Sequence, residues 1–271
     1  MADNQARSSK KRFRSDGTSI WTRPKIDGPG VWITCVKGKE RQAIGETYDL
    51  FERLVEELWP PAEDPIVNGD DVNESDEEDL EKAISKEVQN MKRPRKEKLF
   101  AACQTNTPCL VFISCKSPVD PVSLIALHMK RVDETGITHT RSTHRFTPIS
   151  SSCDTNLPEI ISLCKRVVLP VFEREEKRSS RYKLEVRMRY HNTLTRDEVI
   201  KVIAQCIPEE HKVDLENPDL FILVEIFKAS RSRPSPATFG VSVVKDYYRY
   251  KKFNVVEVSQ AKLARVDDTE G

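Results

Sequence analysis

Val213-Asp-Leu-Glu-Asn-Pro-Asp-Leu-Phe-Ile-Leu-Val-Glu-Ile-Phe227 is the stretch from which the fold of this 271-residue chain can be read. Leu220 to Val224 are five consecutive apolar residues, and Ile226 and Phe227 carry the run past a single Glu225. A short run rich in β-formers and bounded by Asn-Pro-Asp predicts a strand buried on both faces, and it is too short to span a membrane. Pro218 lacks an N–H and biases Asn217 toward extended or turn geometry, so Asn217-Pro218-Asp219 is the expected corner. A strand covered on both sides requires layers above and below it, which the flanking sequence must supply.

Upstream, Arg181 to Tyr190 alternates without a break, with Tyr182, Leu184, Val186, Met188 and Tyr190 on one face and Arg181, Lys183, Glu185, Arg187 and Arg189 on the other. This predicts a half-buried strand whose open face is mostly cationic. Thr195-Arg-Asp-Glu198 is a capping box that starts a helix burying Val199, Val202 and Ile203. Before them, Leu157, Ile160, Ile161, Cys164, Val167, Val168, Val171 and Phe172 form a helical stripe that Pro170 kinks or shortens. Downstream come a basic loop, Ser230 to Pro236, a strand from Thr238 to Val244, and the basic-aromatic end Lys245 to Asn254.

The first half reads as a second unit. Val31 to Val36 is a strand, and Ile44, Tyr48, Phe51, Leu54, Val55 and Leu58 make a helix stripe that Pro60-Pro61 stops. Phe100 to Cys103 and Leu110 to Cys115 read as strands. Asp120-Pro121 supplies an N-cap and first-turn proline for a helix with Val122, Ile125, Met129 and Val132 inward. A strand at Thr143 to Thr147 completes the order β-α-β-β-α-β of a ferredoxin-like unit. The fold class is mixed α+β. The expected division is a basic tail at 1–28, a ferredoxin-like domain at 29–149 with an acidic disordered insert at about 60–98, a second domain at 150–258, and a tail at 259–271.

Charge is unevenly placed. The 44 basic and 43 acidic residues nearly cancel, yet Pro60 to Asn90 holds 11 acidic and 2 basic residues, leaving 42 basic against 32 acidic elsewhere. A basic folded part suits a polyanionic partner. Ser9-Lys-Lys-Arg-Phe-Arg14 reads as a nuclear-import signal, an RNA-touching arm or a solubilising tail. Ser75 among acids reads as a kinase site or as part of a solvated linker, and the acidic insert as a possible shield for an RNA surface. Seven cysteines without framework spacing, no signal-peptide core and no spanning run give a soluble intracellular chain with reduced thiols.

Catalytic signatures are missing: there is no dinucleotide or phosphate loop and no nucleophile elbow. Cys103, Cys109 and Cys115 lack the close pairing that zinc requires and read as small buried hydrophobes. The sequence names no carboxylate partner for His139 and His144, which flank a polar loop, and identifies no base for Ser151 and Cys153. No catalytic residue, metal or cofactor is assigned. Binding remains: Lys228 to Lys252 carries seven Lys or Arg and one Asp, interleaved with Tyr247, Tyr248 and Tyr250. Cations neutralise phosphates and aromatic faces stack on unpaired bases. The alternative is that the tyrosines pack the sheet edge and the cations are merely solvated.

The Val213 motif, its following strand with Val224-Glu-Ile226, and Val241-Ser-Val-Val-Lys-Asp-Tyr247 resemble the THUMP domain of RNA-modifying enzymes. A closer likeness, to the stand-alone tRNA acetyltransferase adaptors, spans roughly residues 30 to 257. It adds Gly30-Val-Trp-Ile-Thr-Cys35, Glu77-Glu-Asp-Leu-Glu81, Arg145-Phe-Thr-Pro-Ile-Ser150, Arg196-Asp-Glu-Val-Ile200 and Lys252-Phe-Asn254. The resemblance implies a THUMP domain at 150–258 and binding near the acceptor end of tRNA. It also implies partnership with a separate RNA cytidine acetyltransferase, which makes acetylcytidine in the D-arm of serine and leucine tRNAs. The implied protein is a non-catalytic adaptor, monomeric by itself and nuclear or nucleolar, with a cytoplasmic pool also allowed. The rival readings are a stand-alone RNA-modifying enzyme and a protein-only scaffold. On this reading Arg145, Lys183, Arg187, Arg189, Lys245, Arg249, Lys251 and Lys252 neutralise phosphates, while Tyr247 or Tyr248 stacks or reaches a 2′-OH.

Overall fold

The structure is a computed structural model that describes residues 26–60, 98–103, 105–174, 179–191, 193–228 and 237–270. The Ser9–Arg14 segment, the acidic stretch within 61–97 and the Ser230–Pro236 loop lie outside the described residues.

In the first unit, β1 (Gly30–Cys35), α1 (Glu40–Leu58), β2 (Phe100–Cys103), β3 (Leu110–Cys115), α2 (Pro121–Thr135) and β4 (Thr143–Ile149) follow the expected order. The sheet runs β2-β3-β1-β4 with every neighbour antiparallel, so each helix joins two strands that a third separates. Local chemistry sets the helix ends. The Asp120 carboxylate accepts from Val122 N and Ser123 N at 3.3 and 2.9 Å, and α2 ends at Gly136 with φ 75°, a left-handed stop that glycine adopts without Cβ strain. The stripe of α1 (Ile44, Tyr48, Phe51, Leu54) and that of α2 (Leu124, Ile125, Met129, Val132) bury against Val31, Ile33, Ile113 and Phe146.

The second sheet runs β5-β9-β8-β6-β7, from β5 (Ser151–Asp154), β6 (Arg181–Arg189), β7 (Lys212–Val213), β8 (Leu220–Phe227) and β9 (Thr238–Val244). All eight residues of β8 are buried, as the opening stretch requires. Full burial of each large apolar side chain stabilises by roughly 1.5–3 kcal/mol relative to exposure. Strand β6 runs parallel to β8 on one side, which requires a crossover, and β9 runs antiparallel on the other. The crossover carries α5 (Arg196–Ala204), whose Thr195–Glu198 capping box forms in both directions. Helices α3 (Leu157–Val167) and α4 (Leu169–Arg174) divide the predicted stripe near Pro170, and Ile160, Leu163, Cys164 and Phe172 pack on the same face of the sheet. The corner before β8 is held by Asp214 Oδ1, which accepts from Glu216 N and Asn217 N at 2.9 Å each.

The two sheets meet edge to face. Strand β4 runs into β5 through Ser150 alone, and Ser150 N donates to Val241 O at 3.0 Å. Ser242 Oγ donates to Pro148 O at 2.7 Å. A Cβ at Gly240 would stand 2.9 Å from Ile149 Cγ2, so the close approach of β9 and β4 depends on that glycine. Phe221, Leu223 and Val244 join the core of the first unit, together with Tyr247, Tyr250 and Phe253.

Two elements differ from expectation. Strand β5 was not anticipated. Residues 259–270, read as a tail, continue α6 (Val255–Glu270), whose Val255 and Val258 sit in the first unit's core. Among the described residues no helix is long and apolar enough to cross a membrane.

Candidate nucleic-acid interface

Alternation along β6 turns Tyr182, Leu184 and Val186 into the helix-covered core and leaves Arg181, Lys183, Glu185, Arg187 and Arg189 on the opposite face. The parallel register sets Lys183 beside Phe221, Glu185 beside Leu223, Arg187 beside Glu225 and Arg189 beside Phe227. The β8 residues of this row are buried beneath the first unit, so the cations line the rim where the two units join.

Glu225 organises that rim. Its side chain is 2% exposed, with Arg187 Nη1 at 3.1 Å from Oε1 and Arg189 Nη1 at 3.7 Å from Oε2. Burial pushes the Glu225 carboxyl above the usual carboxylate range, opposed by Arg189, Arg187 and Arg145. Burial would lower the Arg187 pKa, but Glu225 and its hydrogen bond outweigh this and raise it. Arg187 also donates from Nη2 to the Tyr247 hydroxyl at 2.7 Å and from Nη1 to Thr147 Oγ1 at 3.4 Å. It therefore ties β6 to β8, to β4 and to the segment after β9.

That segment places its residues unequally. Tyr247 is 1% exposed, so the expectation that its ring stacks on a base is not met; it packs against Phe221 and Phe253 instead. Tyr248 is half-buried, its hydroxyl on Glu185 at 2.5 Å, with Lys183 Nζ 4.9 Å and Lys252 Nζ 5.5 Å from its ring centroid. Ammonium groups at that distance are held by the ring quadrupole. Burial and the Glu185 hydrogen bond push its phenol up to about 12. Lys183 also donates to Leu215 O at 2.9 Å.

Lys251, Lys252 and Phe253 have φ of 50°, 56° and 57°, a left-handed turn of three non-glycine residues. Such geometry costs on the order of 1–2 kcal/mol per residue. Buried Phe253 anchors the turn, while Lys251 and Lys252 stand exposed on it. Lys245 is exposed at the end of β9, and Arg249, also exposed, pairs with Asp133 at 3.3 Å. Arg145, on β4, bridges to Asn254 and so adjoins the turn.

The structure thus gathers Arg145, Lys183, Arg187, Arg189, Tyr248 and Lys252 on one rim. It sets Arg249 aside on an ion pair and makes Tyr247 internal. Sequence reasoning did not include Glu225, Glu185 and Thr147 in the site. The signal for Glu225 was present: a lone acid in a buried strand needs cationic partners, and the arginines of β6 recur at the matching period.

Elsewhere, the thiols of Cys35, Cys115, Cys153 and Cys164 are pushed up to about 12 by burial, which keeps them protonated at neutral pH. Among the described residues no group of three or more His, Cys, Asp or Glu side chains is placed to hold a metal.

A THUMP domain family model matches residues 154–230, from the end of β5 past β8. An uncharacterized protein of Schizosaccharomyces pombe is 30% identical over 231 residues, covering 84% of this chain and 75% of that protein. The chain belongs to the THUMP-domain family. It is also similar to tRNA acetyltransferase TAN1 of Saccharomyces cerevisiae, at 29% identity over 264 residues that cover 88% of this chain and 87% of TAN1. Among solved structures, PH1313 from Pyrococcus horikoshii matches with a TM-score of 0.40 and 13% identity over 80% of this chain and 55% of its own, a likeness too slight to inform function. The matched THUMP residues contain the β6 row and Glu225, whereas Arg145 and Lys245 to Lys252 lie outside them. The rim is therefore built partly by the THUMP unit and partly by what packs on it.

Proposed function

We propose that this protein is a tRNA-binding adaptor that presents tRNA to a separate RNA cytidine acetyltransferase for acetylcytidine formation and is not itself catalytic. The observation that carries the reading is the similarity to tRNA acetyltransferase TAN1 along nearly the whole of both chains. The cationic rim supports it, because a row of guanidinium and ammonium groups at strand spacing suits the repeating phosphates of RNA.

The finer assignments follow the family resemblance: serine and leucine tRNAs as cargo, their acceptor end at the rim, the D-arm cytidine as the acetylated base, a monomeric adaptor and a nuclear or nucleolar location. The name of TAN1 also suits a second reading, in which this chain transfers the acetyl group itself.

Reconstitution separates the two. Full-length protein, a separate RNA cytidine acetyltransferase, acetyl-CoA, ATP and tRNA should together yield acetylcytidine, with omission of either protein abolishing it. Turnover by this protein alone would establish the second reading, and undiminished acetylation without it would remove the adaptor role.

A further inference from the structure

Arg187 and Arg189 of β6 pair with Glu225, and Arg145, two residues before the Thr147 of β4 that Arg187 touches, also bears on its charge. Two of their buried nitrogens, Arg145 Nε and Arg189 Nη1, have no hydrogen-bond acceptor among the described residues. Arg189 Nη1 lies 3.7 Å from Glu225 Oε2, an ion pair without hydrogen-bond contact. An unsatisfied buried donor costs about 1–3 kcal/mol, more for a charged group, and calls for an acceptor from another source.

The charges are also unbalanced. Besides Glu225, Glu185 also acts on Arg187; it accepts from Tyr248, whose ring Lys183 and Lys252 flank. Positive charge exceeds negative in this cluster even with both acids ionised. The side chains of Arg187 and Arg189 are 25% and 27% exposed, so each is open to solvent while also engaging Glu225. Surplus guanidinium charge and idle N–H donors together suit a tetrahedral oxyanion, which accepts several hydrogen bonds at once. Because the idle donors are themselves buried, it meets them as the partly exposed Arg189 side chain turns to admit it.

We propose that Arg145, Arg187 and Arg189, gathered round the buried Glu225, form a notch for one phosphate group of bound RNA at the seam between the two sheets. This rests on the tRNA-binding reading and deepens it by naming the subsite. Arg187 is committed to Glu225, Thr147 and Tyr247, so its role is to close the notch, while Arg145 and Arg189 supply the free donors.

The test uses the full chain and tRNA, with affinity measured across a potassium chloride series for wild type, Arg145→Lys and Arg145→Gln. Arg145→Gln should weaken binding and reduce the slope of log K against log salt by about 0.7–0.9, the share of one phosphate contact. Arg145→Lys should keep the slope and still bind more weakly, because an ammonium lacks the guanidinium fork. A folded Arg145→Gln with wild-type affinity and slope overturns the notch while leaving tRNA binding intact. Salt-independent or absent tRNA binding by wild type overturns the underlying reading instead.

An independent measurement needs no variant to fold. The Arg145 Nε–H resonance of wild type should shift saturably with inorganic phosphate and not with chloride at equal ionic strength. Identical behaviour in the two salts overturns the proposal. Repeating the series with dephosphorylated tRNA locates the group: an Arg145 effect that persists assigns an internal diester, and one that disappears assigns the terminal phosphate. Both results uphold the notch.

Discussion

Arg187 and Tyr247 meet across the seam, Nη2 donating to the phenolic oxygen at 2.7 Å, with Tyr247 only 1% exposed. Two residues that the family resemblance led us to expect on an RNA-binding surface thus hold the two units together. Tyr247 acts wholly from inside, whereas Arg187 keeps one side open.

The consequence for Arg187 is a stability prediction. Replacing it with Met leaves Glu225 buried without its nearest cation and should cost roughly 3–5 kcal/mol. The double variant Arg187→Met, Glu225→Leu removes both charges and should cost less than the single one. Urea unfolding of the three proteins at neutral pH checks this. An Arg187→Met protein as stable as wild type contradicts the buried pair. For the same reason, charge reversal at Arg187 is no clean probe of RNA binding.

Stability and binding should move in opposite directions at Lys252. Its φ of 56° and ψ of 38° suit glycine, which adopts the left-handed region without Cβ strain. Lys252→Gly should be unchanged or up to about 1 kcal/mol more stable, since the unfolded-state entropy of glycine offsets part of the relief. The same change removes a rim cation, so tRNA affinity should fall, with a shallower salt slope. Thermal unfolding and a salt series on one preparation provide both numbers. Loss of stability together with unchanged affinity would mean that the turn serves the fold alone.

Tyr248 is expected to matter through its ring. Tyr248→Phe keeps the aromatic face near Lys183 and Lys252 and removes the hydroxyl bound to Glu185, so tRNA affinity should change little. Tyr248→Leu removes the face and frees both ammonium groups, and affinity should fall severalfold, in line with the roughly 0.5–1 kcal/mol of an exposed cation–π contact. Equal affinities for the Phe and Leu variants would show that the ring does not organise these lysines.

Acid should destabilise the first unit through His128. This side chain is buried on α2 against Phe146, neither ring nitrogen has a partner among the described residues, and burial lowers its pKa from 6.5 to about 3, with His139 and Arg53 adding to the shift. Below about pH 6.5 the unfolded chain binds a proton that the folded chain refuses until about pH 3. Stability therefore falls as pH falls through that window, by about 1.4 kcal/mol per unit. His128→Leu removes this component. Comparing urea unfolding at about pH 7.5 and about pH 5, the loss on acidification should be roughly 2 kcal/mol smaller in the variant. Equal losses would show that His128 is protonated in the folded protein.

Elements announced by local pattern were readable in the chain: the doubly buried run of β8, the alternation of β6, the Asp120-Pro121 start of α2 and the Thr195–Glu198 box. Strand β5 was not, because Ser151-Ser-Cys-Asp154 has neither apolar alternation nor length and exists through its pairing with β9, some 85 residues away. Helix α6 escaped because its inward positions near the start, Val255 and Val258, are followed by a mostly polar run. At the site, charge could be read and direction could not. Tyr247 and Tyr248 are neighbours in sequence with opposite fates, sorted by a left-handed Asp246 (φ 56°) and by the turn at Lys251 to Phe253. Those angles depend on how Phe253 is buried under the first unit, a long-range contact without a local signature.

The most direct test is the affinity of the full-length wild-type protein for tRNA over a potassium chloride series. If the rim of β6 and the Lys251–Lys252 turn bind the RNA backbone, log K should fall linearly with log salt, with a slope on the order of −3 or steeper for several phosphate contacts. A flat dependence, or no affinity at low salt, would contradict it.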